Sequence, residues 1–254
     1  MKSHLRTTLI SAGILAAGCA ILATLPALAA APAEICPAAK KSYRAVVNAK
    51  LDALNFADLK RAADRGNGNA LALLGFKYTG GEGEAAGVAT DLKQAVTYFE
   101  KAAAKSDPLG EYLLGVAYMA GAGVEKDEAR ALGLFKRAAE HGHPNGRYWV
   151  AEMTAKGRGG LASSWEKALP IFAAAAGEGA PDAYVELGYM YENGIGGLAV
   201  DYEKAGFCYR QGGLLKSQIA QFNVRILIDQ GRITWQTGDP GEPPKKAPEP
   251  YRVK

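Results

Sequence analysis

The 254-residue chain has only three cysteines, too few for a scaffold built on disulfides. It has no large excess of either charge. A formal net charge of +4 is too small to mark a nucleic-acid binder. It lacks a second long apolar run, and a single such stretch excludes a multi-span membrane protein. It also lacks any Asn-x-Ser/Thr acceptor, which fits a bacterial origin. Apolar residues are not scarce. They make up 48% of the chain against 22% charged, which excludes disorder of the whole chain. Length alone allows one large domain or two small ones.

The one long apolar run lies at the start. Lys2 and Arg6 are followed by an uncharged stretch from Thr7 to Leu25. Pro26 interrupts it, and Ala27-Leu28-Ala29 has the small-x-small pattern that a signal peptidase reads. Residues 1–29 are therefore expected to be a signal peptide, cleaved before Ala30. Losing Lys2 and Arg6 leaves 28 basic against 26 acidic residues, a mature net charge of +2. The expected destination is the periplasm or the exterior, with no membrane span in the mature form. A rival processing site is Leu15-Ala16-Ala17-Gly18-Cys19, where Cys19 would be lipidated in a lipoprotein. The apolar run continues well past Cys19, so the Ala-Leu-Ala site fits better.

The rest of the chain repeats itself. Leu74-Gly75, Leu114-Gly115, Val150-Ala151 and Leu187-Gly188 align at spacings of 40, 36 and 37 residues. Tyr78, Tyr118, Thr154 and Tyr191 follow four residues later, and Gly81, Gly121, Gly157 and Gly194 seven later. A second set of columns keeps step: Ala95, Ala131, Ala168 and Ala205. Each is preceded by four residues by a helix-capping type, Asp91, Asp127, Ser164 or Asp201. Phe99, Phe135, Phe172 and Tyr209 follow by four.

Each unit thus predicts two helices. Helix A starts near Pro108, Pro144 or Pro181, where the missing N–H costs nothing, and ends at the glycine column. Helix B starts at the Asp or Ser cap and ends at Gly142 or Gly179 in the clearest copies. Glycine and alanine columns let helix axes approach closely while the aromatics fill the gaps. Asp52 to Arg65 reads as a leading half-repeat, and Ser217 to Gln230 as a closing cap, as a solenoid requires. The first full unit carries extra residues between Gly81 and Thr90. The expected organisation is an N-terminal segment over 30–51, an array over 52–232 and a proline-rich, flexible tail over 233–254.

These columns resemble the Sel-1-like repeat family, a relative of the tetratricopeptide repeat. The second copy carries the resemblance best, through Leu114-Gly115, Tyr118, Gly121, Gly123, Val124, Asp127, Ala131, Phe135, Ala138-Ala139 and Gly142. The third departs most, with Ala151 and Thr154 in place of Gly and Tyr. The resemblance implies an all-α, right-handed α/α superhelical solenoid of four repeats that acts as an adaptor or binding scaffold. Bacterial members are often exported, and some act in envelope regulation, polysaccharide export, host contact or effector immunity.

Helical geometry places the surface a ligand would use. With 100° per residue and the Leu column at zero, the Ala, Gly and Tyr columns of helix A share the packing face. Positions five and two before, and two and five after, fall on the opposite face, which lines the concave side if helix B lies outside. That stripe would usually be charged. Here it carries Phe76, Tyr112, Val116, Met119, Tyr148, Val185 and Tyr189, with acids such as Glu152 only toward the C-terminal half. An apolar stripe on such a face is read as a partner-binding groove. The bland alternative is that curvature or neighbouring helices bury these side chains.

Motifs that look catalytic are mostly repeat columns. Ser164-Trp165-Glu166-Lys167 matches the Ser-x-x-Lys of penicillin-recognising enzymes, but Asp201-Tyr202-Glu203-Lys204 occupies the same columns one unit later. Ser164 is expected to be a helix cap. Gly194-x-Gly196-x-x-Ala199 mimics a dinucleotide loop but follows a helix rather than a strand. His141-Gly142-His143 has no third metal ligand nearby in sequence. No catalytic residue, metal site or cofactor is expected.

Cys36 precedes the array, and Cys208 lies on its last B helix. A bridge needs Cα atoms within about 7 Å, and stacked repeats separate the two ends of an array by tens of ångströms. Two free, buried thiols are expected. A bridge would need the N-terminal segment to fold back along the array.

The sequence therefore reads as a non-enzymatic, exported, monomeric scaffold that binds a protein partner through its concave groove, as a regulator, adaptor or immunity protein. The alternative is an envelope enzyme such as a β-lactam or cell-wall hydrolase. The scarcity of convergent titratable groups outside the repeat columns argues against it.

Overall fold

The computed structural model describes residues 35–38, 54–80 and 87–234. The expected signal peptide, the Cys19 site, the proline-rich tail from residue 235 onward and most of the first A–B loop lie outside them. Among the described residues the long elements are ten α-helices. They are α1 (Phe56–Asp64), α2 (Gly68–Lys77), α3 (Leu92–Ala103), α4 (Pro108–Ala120), α5 (Glu128–Glu140), α6 (Pro144–Lys156), α7 (Trp165–Gly177), α8 (Pro181–Asn193), α9 (Tyr202–Leu214) and α10 (Gln218–Asp229). The chain is an all-α repeat solenoid. Four A–B pairs run from α2 to α9, with α1 and α10 as the flanking half-repeats.

The helix boundaries follow from local chemistry. Each B helix starts where a short oxygen-bearing side chain accepts a backbone N–H that the helix cannot satisfy itself. Asp91 accepts from Gln94, Asp127 from Arg130 and Asp201 from Lys204, each at 2.9 Å, and Ser164 accepts from Lys167 at 3.2 Å. The A helices α4, α6 and α8 begin with Pro108, Pro144 and Pro181. They end on Gly121, Gly157 and Gly194, whose φ values of 71°, 67° and 66° lie in the left-handed region that a side chain disfavours. The first A helix ends differently, at Tyr78 in a right-handed conformation.

One backbone bond recurs in all four units. The N–H of each B-helix cap donates to the carbonyl of the residue in the Tyr column: Asp91 to Tyr78, Asp127 to Tyr118, Ser164 to Thr154 and Asp201 to Tyr191, each at 2.9 Å. This bond closes the A–B turn. It uses only main-chain atoms, so Thr154 in the third copy keeps it.

Close approach within a unit depends on the small residue after the Leu column. A Cβ added to Gly75 would lie 2.7 Å from Phe99, on Gly115 2.7 Å from Phe135, and on Gly188 2.4 Å from Tyr209. In each case the aromatic ring of helix B packs directly against bare backbone of helix A. The third unit has Ala151 opposite Phe172, and both are fully buried. Helices otherwise pack on their neighbours in chain order. Second-neighbour contacts join α2 to α4 and α8 to α10, pairs that occupy the A position. This fits A helices on the inner, shorter radius of the array.

The cysteines overturn their sequence-based expectation. Cys36 and Cys208 form a disulfide, with Cα atoms 5.6 Å apart. Ile35 and Cys36 are buried in the core formed by α6 to α10, and the Tyr184 hydroxyl donates to the Pro37 carbonyl. The order of repeats fixes where the helices lie, but it puts no constraint on the chain before α1. That chain returns to the far end of the array.

Candidate functional site

The candidate groove is built from the inner stripe of α2, α4, α6 and α8. The structure gives its side chains unequal exposure. Phe76 on α2 and Tyr189 on α8 are 39% and 44% exposed. Tyr112 and Val116 on α4, Tyr148 on α6 and Val185 on α8 are half-buried. Met119 and Glu152 are buried, with 8% and 6% exposed. The stripe is thus an apolar floor with exposed aromatics toward its two ends.

Other aromatic rings hold the aromatics of this floor. Tyr112 stacks on His143 with ring centroids 4.4 Å apart and leans on Phe135 at 6.1 Å. Tyr148 meets Trp149 edge-on at 5.6 Å and Phe172 at 5.9 Å. Tyr189 leans on Trp165 at 6.4 Å. These rings are therefore partly committed to packing, within units for Tyr112 and Tyr148 and between units three and four for Tyr189, and their remaining faces are what a ligand can reach.

Polar groups line the same stripe on α6. Asn145, Tyr148 and Glu152 lie at i, i+3 and i+7, on one side of the helix. Glu152 pairs through one carboxylate oxygen with Lys156, one turn on. Its other oxygen, and the side-chain oxygen of Asn145, are buried with no hydrogen-bond partner. On α8, burial foremost, then the Glu152 and Asp182 charges, push the Glu186 carboxyl up to about 7 against the opposing pull of Lys156. Burial first, and then the Glu152, Glu186 and Asp182 charges, push the Tyr148 phenol upward. Glu192 is engaged by the Tyr209 hydroxyl at 2.7 Å. Sequence reasoning missed Glu186, because it stands one residue before the Leu column, just outside the stripe. Its i, i+4 spacing from Asp182 was the available signal.

A second polar cluster ties the two helices of unit two together, and sequence reasoning missed it too. Glu111 on α4 is fully buried. It pairs with Arg137 at 2.6 Å and His141 at 2.7 Å. His143 is 1% exposed and caps α6, its Nδ1 accepting from Gly146 at 3.2 Å. Burial pushes its imidazole down to about 3, which keeps it a neutral acceptor. The two histidines thus have separate structural partners. Among the described residues, no group of three or more His, Cys, Asp or Glu side chains could hold a metal ion. Ser164 spends its hydroxyl on the α7 cap, and the Gly194–Gly197 turn follows helix α8. Among the described residues no helix is long and apolar enough to cross a membrane.

The Sel1 repeat family model matches residues 68–107, 108–143 and 181–216. Those spans are units one, two and four as described above. The unmatched unit, 144–180, is the one with Ala151, Thr154 and a proline, Pro170, inside its B helix. Among curated proteins, nothing matches the chain. Among solved structures, a Sel1 repeat protein from Oxalobacter formigenes is 26% identical, with a TM-score of 0.59 over 70% of this chain and 77% of that one. A protective antigen of uropathogenic Escherichia coli with an SLR fold is 24% identical over 70% of this chain and 52% of that one, with a TM-score of 0.42. A sel1 repeat protein from Klebsiella pneumoniae subsp. pneumoniae is 22% identical over 68% and 83%, with a TM-score of 0.45. The last two superpose too loosely to carry an argument. The repeat match and the first structure agree with the repeat geometry: the chain carries Sel1 repeats, three of them matched directly.

Proposed function

We propose that this protein is an exported scaffold that holds a partner protein along the inner face of its A helices. Sel1 repeat proteins generally act as protein-interaction scaffolds. The observation that carries the groove reading is the stripe itself. Phe76 and Tyr189 stand exposed on it, with Tyr112, Val116, Tyr148 and Val185 half-buried between them. Large apolar side chains left on one face of a repeat array are the usual mark of an interaction surface. Export is supported by the disulfide, since such bonds persist in oxidising compartments. A periplasmic regulator and an immunity protein against an effector are two forms of the same role.

Affinity capture from periplasmic extract tests the reading. The wild-type protein is compared with Tyr112→Ala/Tyr148→Ala and with Phe76→Ser/Tyr189→Ser. The second pair is exposed, so its replacement disturbs the buried core less than the first pair's does. A protein retained by wild type and lost by both pairs is the expected result. Equal retention by all three, or retention by none, overturns the reading.

A further inference from the structure

On the C-terminal half of the groove, one physical feature is not explained by folding. Two side-chain oxygens on one stripe of α6, Asn145 Oδ1 and Glu152 Oε2, are buried without a partner. An unmet acceptor in such a place costs stability. It is tolerated where something else supplies the donor. Between them on the stripe lies Tyr148, and on α8 the Glu186 carboxyl lies within reach of the Glu152 charge, with Asp182 one turn before it. The side chains of the inner stripe on α6 and α8 include Glu152, Asp182 and Glu192 and no cation. Lys156, beside the stripe, already pairs with Glu152, and Arg158 is taken by Glu128 at 2.6 Å.

We infer that this half of the groove takes a cationic peptide segment, whose Lys or Arg side chain docks between Glu152 and Glu186 over the ring of Tyr148. The inference rests on the groove reading above and adds the chemistry of the occupant. An ammonium or guanidinium brings only donors and no acceptor, which is what the orphaned Glu152 oxygen needs. It neutralises carboxylates that repel one another, and it stacks on an aromatic face. Tyr189, exposed next to Trp165, gives the flanking residues of the segment a second aromatic surface. An acidic or neutral segment gains none of the charge-assisted bonds.

Fluorescence anisotropy with three labelled nonapeptides tests this. In the first, Arg and Lys alternate with Leu and Tyr; the second has Gln at the charged positions, and the third has Glu. The proteins are wild type, the isosteric pair Glu152→Gln/Glu186→Gln, and Tyr112→Ala/Tyr148→Ala. The cationic peptide is expected to bind wild type most tightly, and roughly tenfold or more weakly after the Gln substitutions. Its affinity is also expected to fall between about 50 and 300 mM salt. Equal affinity for wild type and the Gln pair overturns the inference, as does preference for the neutral or acidic peptide. The two readings then separate. Neutral-peptide binding that is lost only in the tyrosine pair keeps the groove and removes the cation. Binding that responds to neither pair removes both. Thermal unfolding at or above the wild-type midpoint for the Gln pair shows that a lost affinity is not lost folding.

Discussion

Cys36 is bonded to Cys208, 172 residues further along the chain. The hydroxyl of Tyr184 reaches the Pro37 carbonyl beside it. The bond therefore joins the chain before the first helix to the last full repeat.

A link of that span removes a large loop-closure entropy from the unfolded chain. Replacing both cysteines in Cys36→Ala/Cys208→Ala is expected to cost roughly 3–5 kcal/mol. Calorimetry of the oxidised wild type against the variant checks it. Both sulfurs are buried, so mild reductant on the folded protein should leave the bond intact until unfolding begins. Early loss of the bond, seen by mass spectrometry, would contradict this.

Gly188 and Gly133 are both helical glycines, and they should respond in opposite directions to alanine. A Cβ on Gly188 lands 2.4 Å from the Tyr209 ring, whereas a Cβ on Gly133 meets nothing within 4 Å. Gly188→Ala should destabilise by about 1–3 kcal/mol through overpacking. Gly133→Ala should stabilise by about 0.5–1 kcal/mol through propensity alone. Denaturant midpoints measured side by side decide it.

Glu186 should make the protein less stable as pH rises. Its folded carboxyl is held at about 7, above the unfolded value of about 4.3. The folded state therefore binds the proton more tightly. That stabilisation is complete below the unfolded value and is lost as pH rises through about 7. Glu186→Gln should track wild type at pH 4 and exceed it at pH 8. A carboxyl resonance titrating near pH 4 in the folded protein would refute the argument.

His143 acts in the other direction. Its folded imidazole is held down at about 3, below the unfolded value of about 6.5. Its contribution is present above the unfolded value and is lost as pH falls toward 3. His143→Asn keeps a capping side chain and removes that acid sensitivity. The midpoint difference between variant and wild type should change between pH 7 and 4.5 and stay flat above 7.

The repeat itself was legible from sequence. The B-helix caps and the packing columns are local chemistry repeated four times, and the starting prolines and terminal glycines three times. Asp91, Asp127, Ser164 and Asp201 perform in the structure the role their spacing assigned. The groove was legible only as a stripe. Helical angle gives direction but not depth, so Met119 and Glu152 could not be told from Phe76 and Tyr189 until the neighbouring helices were in place. Glu186 was invisible because its shift comes first from burial by the packed helices and then from Glu152, 34 residues earlier and on another helix.

What the sequence determined by itself is therefore everything periodic: the helix pairs, their boundaries and the solenoid class. Short-range hydrogen bonds and close helix contacts decide those within one unit. The tertiary structure alone decided what joins residues outside the repeat columns. It set the Cys36–Cys208 bond, the buried Glu111–Arg137–His141 cluster and the unmet oxygens of α6. Those depend on where the chain returns in space and on how much water each neighbour excludes, and no column of a repeat carries that information.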